Sequence, residues 1–135
     1  MVKRTVQYFE EYGPKNTAET IKAAKKAALS LGLRYVVVAS GSGSTGVKVA
    51  EAFSGSNVKV VVVTEYAGSV EFMEENRKRL QKLDATIVTG MHALLSPAES
   101  MTKLYKGYCS ENTIITEVLR RFSQGTKVAT EIVVM

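Results

Sequence analysis

The apolar positions of this chain follow two patterns, one typical of buried strands and one typical of amphipathic helices. Continuous apolar runs occupy residues 35–39 and 58–64, and a shorter β-prone run occupies 85–89. The first run shows no alternation of apolar and polar residues, so both of its faces are expected to be buried, as in a parallel sheet covered by helices on both sides.

Helical spacing of apolar residues separates these runs. It predicts helices at about 17–31, 45–53, 70–83 and 112–122, with Gly32 ending the first in a left-handed cap. A β-prone stretch at 5–9 and a further helix at 97–105 are also expected. Residues 127–135 fit a strand by their β-branched content and a helix by the spacing of their apolar residues.

Repeated strand–helix–strand alternation with short connections predicts an α/β protein, a three-layer sandwich with a mainly parallel sheet, in one domain spanning 1–135. Right-handed crossovers are expected. Ligands of such sheets bind beyond the carboxyl ends of the strands. Loops 40–46, 64–69 and 89–93 are therefore expected to converge on one edge of the sheet.

The loop at 40–46 carries the clearest chemistry. Its unpaired backbone N–H groups, small hydroxyls and helix N-terminus suit an anion, above all a phosphate. Hydroxyl donors and the N–H groups of 43–46 would form the cradle, and the other two loops would help. The predicted binding residues are Ser40, Gly41, Ser42, Gly43, Ser44, Thr45 and Gly46, joined by Thr64, Ala67, Gly68 and His92.

Other interpretations of this loop remain open. Residues 41–46 match G-x-G-x-x-G, and Glu65 follows Gly46 by 19 positions, where a dinucleotide site places the acid that holds the ribose. A complete βα element precedes this fingerprint, however, and no hydride-transfer residues can be named. A P-loop would need Lys where Val47 stands. The glycines could also serve only a tight turn.

Composition narrows the class of protein. Apolar residues make up 45% and charged residues 23%, which is ordinary for a soluble globular protein, and no apolar run approaches the roughly 20 residues that a membrane helix needs. No secretory signal is expected. The single Cys109 favours a reducing cytoplasm. The chain has one histidine and one cysteine, so metal sites that need several imidazole or thiolate ligands are excluded.

The net charge of +5 is spread along the chain without interleaved aromatic residues, so a nucleic-acid partner is not expected. His92, on the expected ligand edge, is the one candidate catalytic residue. It could transfer a proton, donate to a phosphate, or simply bond the backbone.

Several short segments occur in an order that resembles stand-alone proteins of the pyruvate kinase C-terminal (α/β) domain-like family, whose activity is unassigned. The segments are 8–10, 15–20, 36–40, 45–46, 61–64, 67–68, 92–94 and 124–128. In some pyruvate kinases the loop equivalent to 40–46 holds the phosphates of a sugar bisphosphate. The resemblance implies that fold, a ligand at 40–46, a helix from Gly125, and Asn16 as an added ligand contact. Family members extend beyond the position of Met135, so the resemblance implies a shortened form or a fragment, whose exposed sheet or core edge would favour self-association.

The sequence therefore predicts a homo-oligomeric binding module for a phosphorylated small molecule, with a sugar phosphate or flavin mononucleotide as candidate ligands. The alternatives are an enzyme acting on a phosphorylated or nucleotide substrate through His92, a nicotinamide-dinucleotide-binding domain, and an oligomeric scaffold.

Overall fold

The computed structural model describes residues 5–65, 72–94, 103–105 and 109–135. These residues form an α/β protein with a parallel sheet of three strands, as the sequence predicted. In chain order the elements are a 3-10 turn Pro14–Asn16, α1 Thr17–Ser30, β1 Tyr35–Ala39, α2 Ser44–Phe53, β2 Lys59–Glu65, α3 Glu74–Lys82, β3 Thr86–Gly90, α4 Glu111–Phe122 and α5 Gln124–Val134.

The strands lie in the order β1-β2-β3, and both pairs are parallel. Val61, at the middle of β2, lies opposite Val37 of β1 and Thr86 of β3. Parallel register brings the carboxyl ends of all three strands to one edge, because each strand runs in the same direction. The end of β2 and the described residues that follow β1 and β3 therefore share that edge.

The hydrophobic core lies on one face of the sheet, between β2 and helices α1, α2 and α3. Val62 of β2 and Leu80 of α3 are fully buried. Gly46 of α2 sits so close to β2 that an added Cβ would lie 2.8 Å from a methyl group of Val62. The other buried core residues are Ala28, Val47, Val49, Ala50, Phe53, Val58 and Val60.

The opposite face of the sheet is covered less completely. Residues of α5 reach it at the carboxyl ends of the strands, where Met135 contacts Gly90. Tyr35 and Val37 of β1 remain 55% and 49% exposed. The expectation that both faces of β1 are buried is therefore wrong for these side chains.

Other local expectations have mixed outcomes. Residues 5–9 form no strand, and the third helix begins at Glu74, after the non-helical Phe72 and Met73. The chain end is a helix, as the family resemblance implied, and the Ser123 side chain caps it by accepting a hydrogen bond from the Thr126 N–H. Most of the helix expected at 97–105 lies outside the described residues, as do residues 70 and 71 of the third helix.

Within the part of the chain that the structure describes, no helix combines the length and the apolar character needed to cross a bilayer.

Gly46→Ala and Gly125→Ala should change stability in opposite directions, although both replace a helical glycine. At Gly46 the new methyl group would overlap fully buried Val62, so we expect a loss of about 1–3 kcal/mol. At Gly125 the nearest atom is the Ser123 Oγ at 3.6 Å, an ordinary contact, so we expect a gain of about 0.4–1 kcal/mol. Urea unfolding followed by circular dichroism measures both. Equal gains would contradict the close packing of α2 on β2.

Candidate functional site

A cavity of about 160 Å³ lies at the carboxyl ends of the three strands. Each strand end contributes polar groups, and α5 forms the remaining wall. The lining residues are Ala39, Ser40 and Gly41 after β1, Val63, Thr64 and Glu65 in β2, Gly90, Met91 and His92 around the end of β3, and Val128, Glu131, Ile132 and Met135 from the end of α5.

The cavity brings together a subset of the residues singled out in the sequence: Ser40, Gly41, Thr64 and His92. The Thr64 hydroxyl donates a hydrogen bond to the Gly41 carbonyl at 3.1 Å, which ties the end of β2 to the loop after β1. The buried Ser40 Oγ accepts a hydrogen bond from the Gly46 N–H at 3.2 Å. This hydrogen bond connects the first residue of the loop to the first turn of α2.

The next part of the loop packs on α3 and does not line this cavity. The Ser42 carbonyl accepts hydrogen bonds from the Met73 N–H at 3.2 Å and from Asn76 Nδ2 at 3.0 Å. Gly43 has a φ of 88°, and an added Cβ there would lie 2.7 Å from the ring of Phe72. The turn at Gly43 thus requires glycine for its backbone conformation and for its contact with the protein itself.

Asn16 and Thr45 lie elsewhere. Both line a second cavity of about 300 Å³ between α1, β1 and α2, whose walls are mostly apolar. Asn16 Nδ2 donates a hydrogen bond to the Glu11 carbonyl at 2.6 Å. Ala67 and Gly68 lie outside the described residues, so their predicted role stays a prediction.

The phosphate cradle expected at 43–46 is partly occupied by the protein. The Gly46 N–H, expected to face a ligand, bonds Ser40 instead, and the Ser44 N–H lies 3.5 Å from Ser42 Oγ. The Ser42 and Ser44 hydroxyls bond each other at 3.1 Å. The Thr45 N–H makes no hydrogen bond to any described residue, and no side chain caps α2. The first turn of α2 therefore keeps only part of its capacity for an anion.

A buried cluster of charged and titratable side chains lies beside the cavity. His92 Nδ1 and Lys127 Nζ both contact Glu131 Oε2, at 2.7 Å and 2.5 Å. His92 Nε2 lies 3.6 Å from Glu65 Oε1. The side chains of Lys127 and Glu131 are 1% and 3% exposed, so their charges are largely removed from water.

The ionisation of Glu131 follows from these contacts. Burial opposes the carboxylate, but hydrogen bonds from Lys127 and His92, with the positive charges of these groups, outweigh burial and lower the pKa of Glu131 below its ordinary value of 4.5. Glu131 is therefore a carboxylate at neutral pH.

Sequence reasoning missed Lys127 and Glu131. They stand four positions apart on α5 and share a face with apolar Val128 and Ile132, which line the cavity. An oppositely charged pair at this spacing within an apolar helical stretch is a recognisable signal. This signal can be recognised only after the end of the chain has been assigned to a helix.

The dinucleotide interpretation meets an obstacle in this geometry. The second glycine of the fingerprint normally lets a pyrophosphate approach the backbone. Here the space beside Gly43 is filled by Phe72 and Asn76.

Among the described residues, no three His, Cys, Asp or Glu side chains come together in a way that could hold a metal ion.

Comparisons with known proteins assign no family. No family model matches the chain. A solved structure of NAD+ synthetase from Burkholderia pseudomallei is similar over 92% of this chain at 18% sequence identity, with a TM-score of 0.41. The match covers 56% of that chain, and at this level of similarity it carries no argument about function.

Glu131→Gln should flatten the loss of stability in acid. Because the pKa of Glu131 is lower in the folded protein, its contribution is fully present above the unfolded value near 4.5 and is lost as the pH falls through the folded value. We therefore expect the wild type to lose more stability than the variant as the pH falls below 4.5. Urea unfolding at a series of pH values measures this difference.

The exposed Glu117, on α4, supplies the matched control. Glu117→Gln should leave the pH dependence close to that of the wild type. Parallel curves for the wild type and Glu131→Gln would contradict the proposed ionisation of Glu131.

Proposed function

We propose that this chain binds a small phosphorylated molecule in the cavity at the strand ends, with the phosphate at the turn before α2 and the rest of the molecule beside His92. One observation carries the proposal. Ser40, Gly41, Thr64 and His92, which come from three separate strand ends, line one cavity next to the N-terminus of a ten-residue helix.

The phosphate end of the proposed site uses the backbone. The N-terminus of α2 carries partial positive charge, which favours an anion. Ser40 accepts a hydrogen bond from Gly46 and retains its own hydroxyl hydrogen for a second partner. Ser40 lies on the β1 side of the cavity.

The opposite end of the cavity favours hydroxyl groups. Glu65 and His92 lie there, and a carboxylate has several acceptor positions, so Glu65 can accept from a ligand hydroxyl as well as face His92. The same carboxylate would repel a phosphate. A molecule with a phosphate at one end and hydroxyls at the other, such as a sugar phosphate, matches this division.

The size of the cavity also favours a sugar phosphate over flavin mononucleotide. The cavity has a volume of about 160 Å³, whereas pockets that enclose larger organic ligands typically measure roughly 300–1,000 Å³.

A second candidate function is supported by the contact between His92 and Glu131. A histidine oriented by a carboxylate at 2.7 Å and facing a cavity is the arrangement that general acid–base catalysis uses. The chain would then be an enzyme that transfers a proton to or from the bound phosphorylated molecule.

We also infer that the protein self-associates and acts in the cytoplasm. One face of α4 carries apolar side chains that are largely exposed: Ile115 is 45%, Val118 55% and Phe122 77% exposed. Contiguous exposed apolar surface favours an interface. The single cysteine, Cys109, is exposed and free, which suits a reducing compartment.

Ser44→Asp should weaken binding without weakening the fold. Ser44 is exposed at the first position of α2, where an acidic side chain interacts favourably with the helix dipole. The same charge would repel a phosphate by roughly 1–4 kcal/mol at a few ångströms, so we expect affinity to fall about tenfold or more. Isothermal titration calorimetry with ribose 5-phosphate, inorganic phosphate and flavin mononucleotide measures the effect and ranks the ligands.

Ser123→Asp is the matched control, because Ser123 also begins a helix and aspartate caps helices as well as serine does. It should leave affinity unchanged. Absence of binding for all three ligands to the wild type, or equal affinities for both variants, would contradict the proposed site.

Phe122→Glu should convert an oligomer to a monomer with little change in stability, because the Phe122 side chain is 77% exposed within one chain. Light scattering coupled to size exclusion measures the mass. Leu29→Glu, which changes an exposed apolar residue of α1, is the control and should leave the mass unchanged. A wild-type protein that is monomeric at micromolar concentration would contradict self-association.

A further inference from the structure

We propose that the buried ion pair between Lys127 and Glu131 is a positioning device that fixes the His92 proton on Nδ1 and presents Nε2 to the cavity as the atom that takes or gives a proton. The inference deepens the second candidate function and rests on the proposed placement of a ligand beside His92. It assigns positioning roles to Lys127 and Glu131 and the reacting role to His92.

The first step is the geometry at a single oxygen. Glu131 Oε2 receives Lys127 Nζ at 2.5 Å and His92 Nδ1 at 2.7 Å. An ionised carboxylate can only accept hydrogen bonds. Nδ1 must therefore carry a hydrogen, because an unprotonated Nδ1 would direct its lone pair at the lone pairs of Oε2.

Lys127 Nζ also lies 3.2 Å from His92 Nδ1. This distance is within hydrogen-bonding range, and with the hydrogen on Nδ1 both groups are donors that converge on Glu131 Oε2. In the proposed tautomer Lys127 therefore acts on His92 through Glu131.

The second step concerns the other ring nitrogen. A neutral imidazole has one donor and one acceptor nitrogen, so a hydrogen on Nδ1 leaves Nε2 as the base. Nε2 lies 3.6 Å from Glu65 Oε1, too far for a direct hydrogen bond but close enough to stabilise the ring after it gains a proton. The imidazolium would then lie between two carboxylates, Glu131 and Glu65.

The third step is the role of Lys127. A carboxylate as buried as Glu131 would take up a proton if it lost its cation, and a protonated carboxyl group can donate to Nδ1 and reverse the tautomer. Two apolar residues could fill this space with equal or greater stability. Control of the His92 tautomer is the property that such an apolar pair could not reproduce.

The charged groups around His92 are few among the described residues. Glu65 faces it from β2, and Lys127 and Glu131 face it from α5. Thr116, the fully buried residue of α4, donates its hydroxyl hydrogen to the Thr113 carbonyl and takes no part.

The test is the ¹⁵N NMR spectrum of the His92 ring in the uniformly labelled 135-residue chain without ligand. His92 is the single histidine, so the ring signals belong to this residue, and the couplings of each nitrogen to Hδ2 and Hε1 distinguish Nε2 from Nδ1. At a pH where the ring is neutral, we expect the form protonated at Nδ1 to exceed the other form by about tenfold or more, which corresponds to roughly 1.4 kcal/mol or more. A wild-type ring protonated at Nε2 would overturn the proposal without any variant.

Two variants separate positioning from structure. Lys127→Met and Glu131→Gln should each lower the tautomer ratio by about tenfold. The exposed Lys26 supplies the control Lys26→Met, which should have no effect. An unchanged ratio in a folded Lys127→Met protein would overturn the role of Lys127.

The binding proposal and this inference fail separately. Addition of ribose 5-phosphate to the same sample should shift the backbone amide signals of Ser40, Gly41 and Thr64. Missing shifts with the expected tautomer would contradict the ligand site alone. Shifts in a protein with the opposite tautomer would contradict the positioning role alone.

Discussion

The contact between Gly46 and Val62 is the constraint on which the arrangement of the site depends. Val62 is completely buried at the centre of β2, and α2 can lie against it only because position 46 has no side chain. This contact sets the start of α2 at the carboxyl edge of the sheet and allows Ser40 to bond the Gly46 N–H. The glycine-rich loop therefore packs against the rest of the protein. Only the N–H and hydroxyl groups that are not used in this packing can bind a ligand.

The elements that the sequence predicted well are those set by local patterns. The three strands were located to within about one residue because each is a short apolar run bounded by turn residues. Parallel pairing alone brings the carboxyl ends of the strands to one edge, so the position of the cavity was predictable too. The exposure of Tyr35 and Val37 could not be predicted, because it depends on which helix covers each half of the sheet.

The charged cluster could not be predicted for a similar reason. Lys127 and Glu131 lie far from His92 in sequence, and their meeting depends on how α5 crosses the sheet. The local sequence left residues 127–135 between strand and helix. Ser123 favours the helix, because its side chain caps α5 by accepting a hydrogen bond from the Thr126 N–H.

The contact between Met135 and Gly90 has a consequence for the chemistry of the cavity wall. The Met135 sulfur lies where a Cβ at position 90 would be, and the Met135 side chain is 53% exposed. A thioether accessible to peroxide can be converted to a sulfoxide, which is larger and polar. The added oxygen would place a polar group where the thioether now packs against Gly90 at the cavity wall. The integrity of this cavity is therefore linked to the redox state of a single sulfur atom.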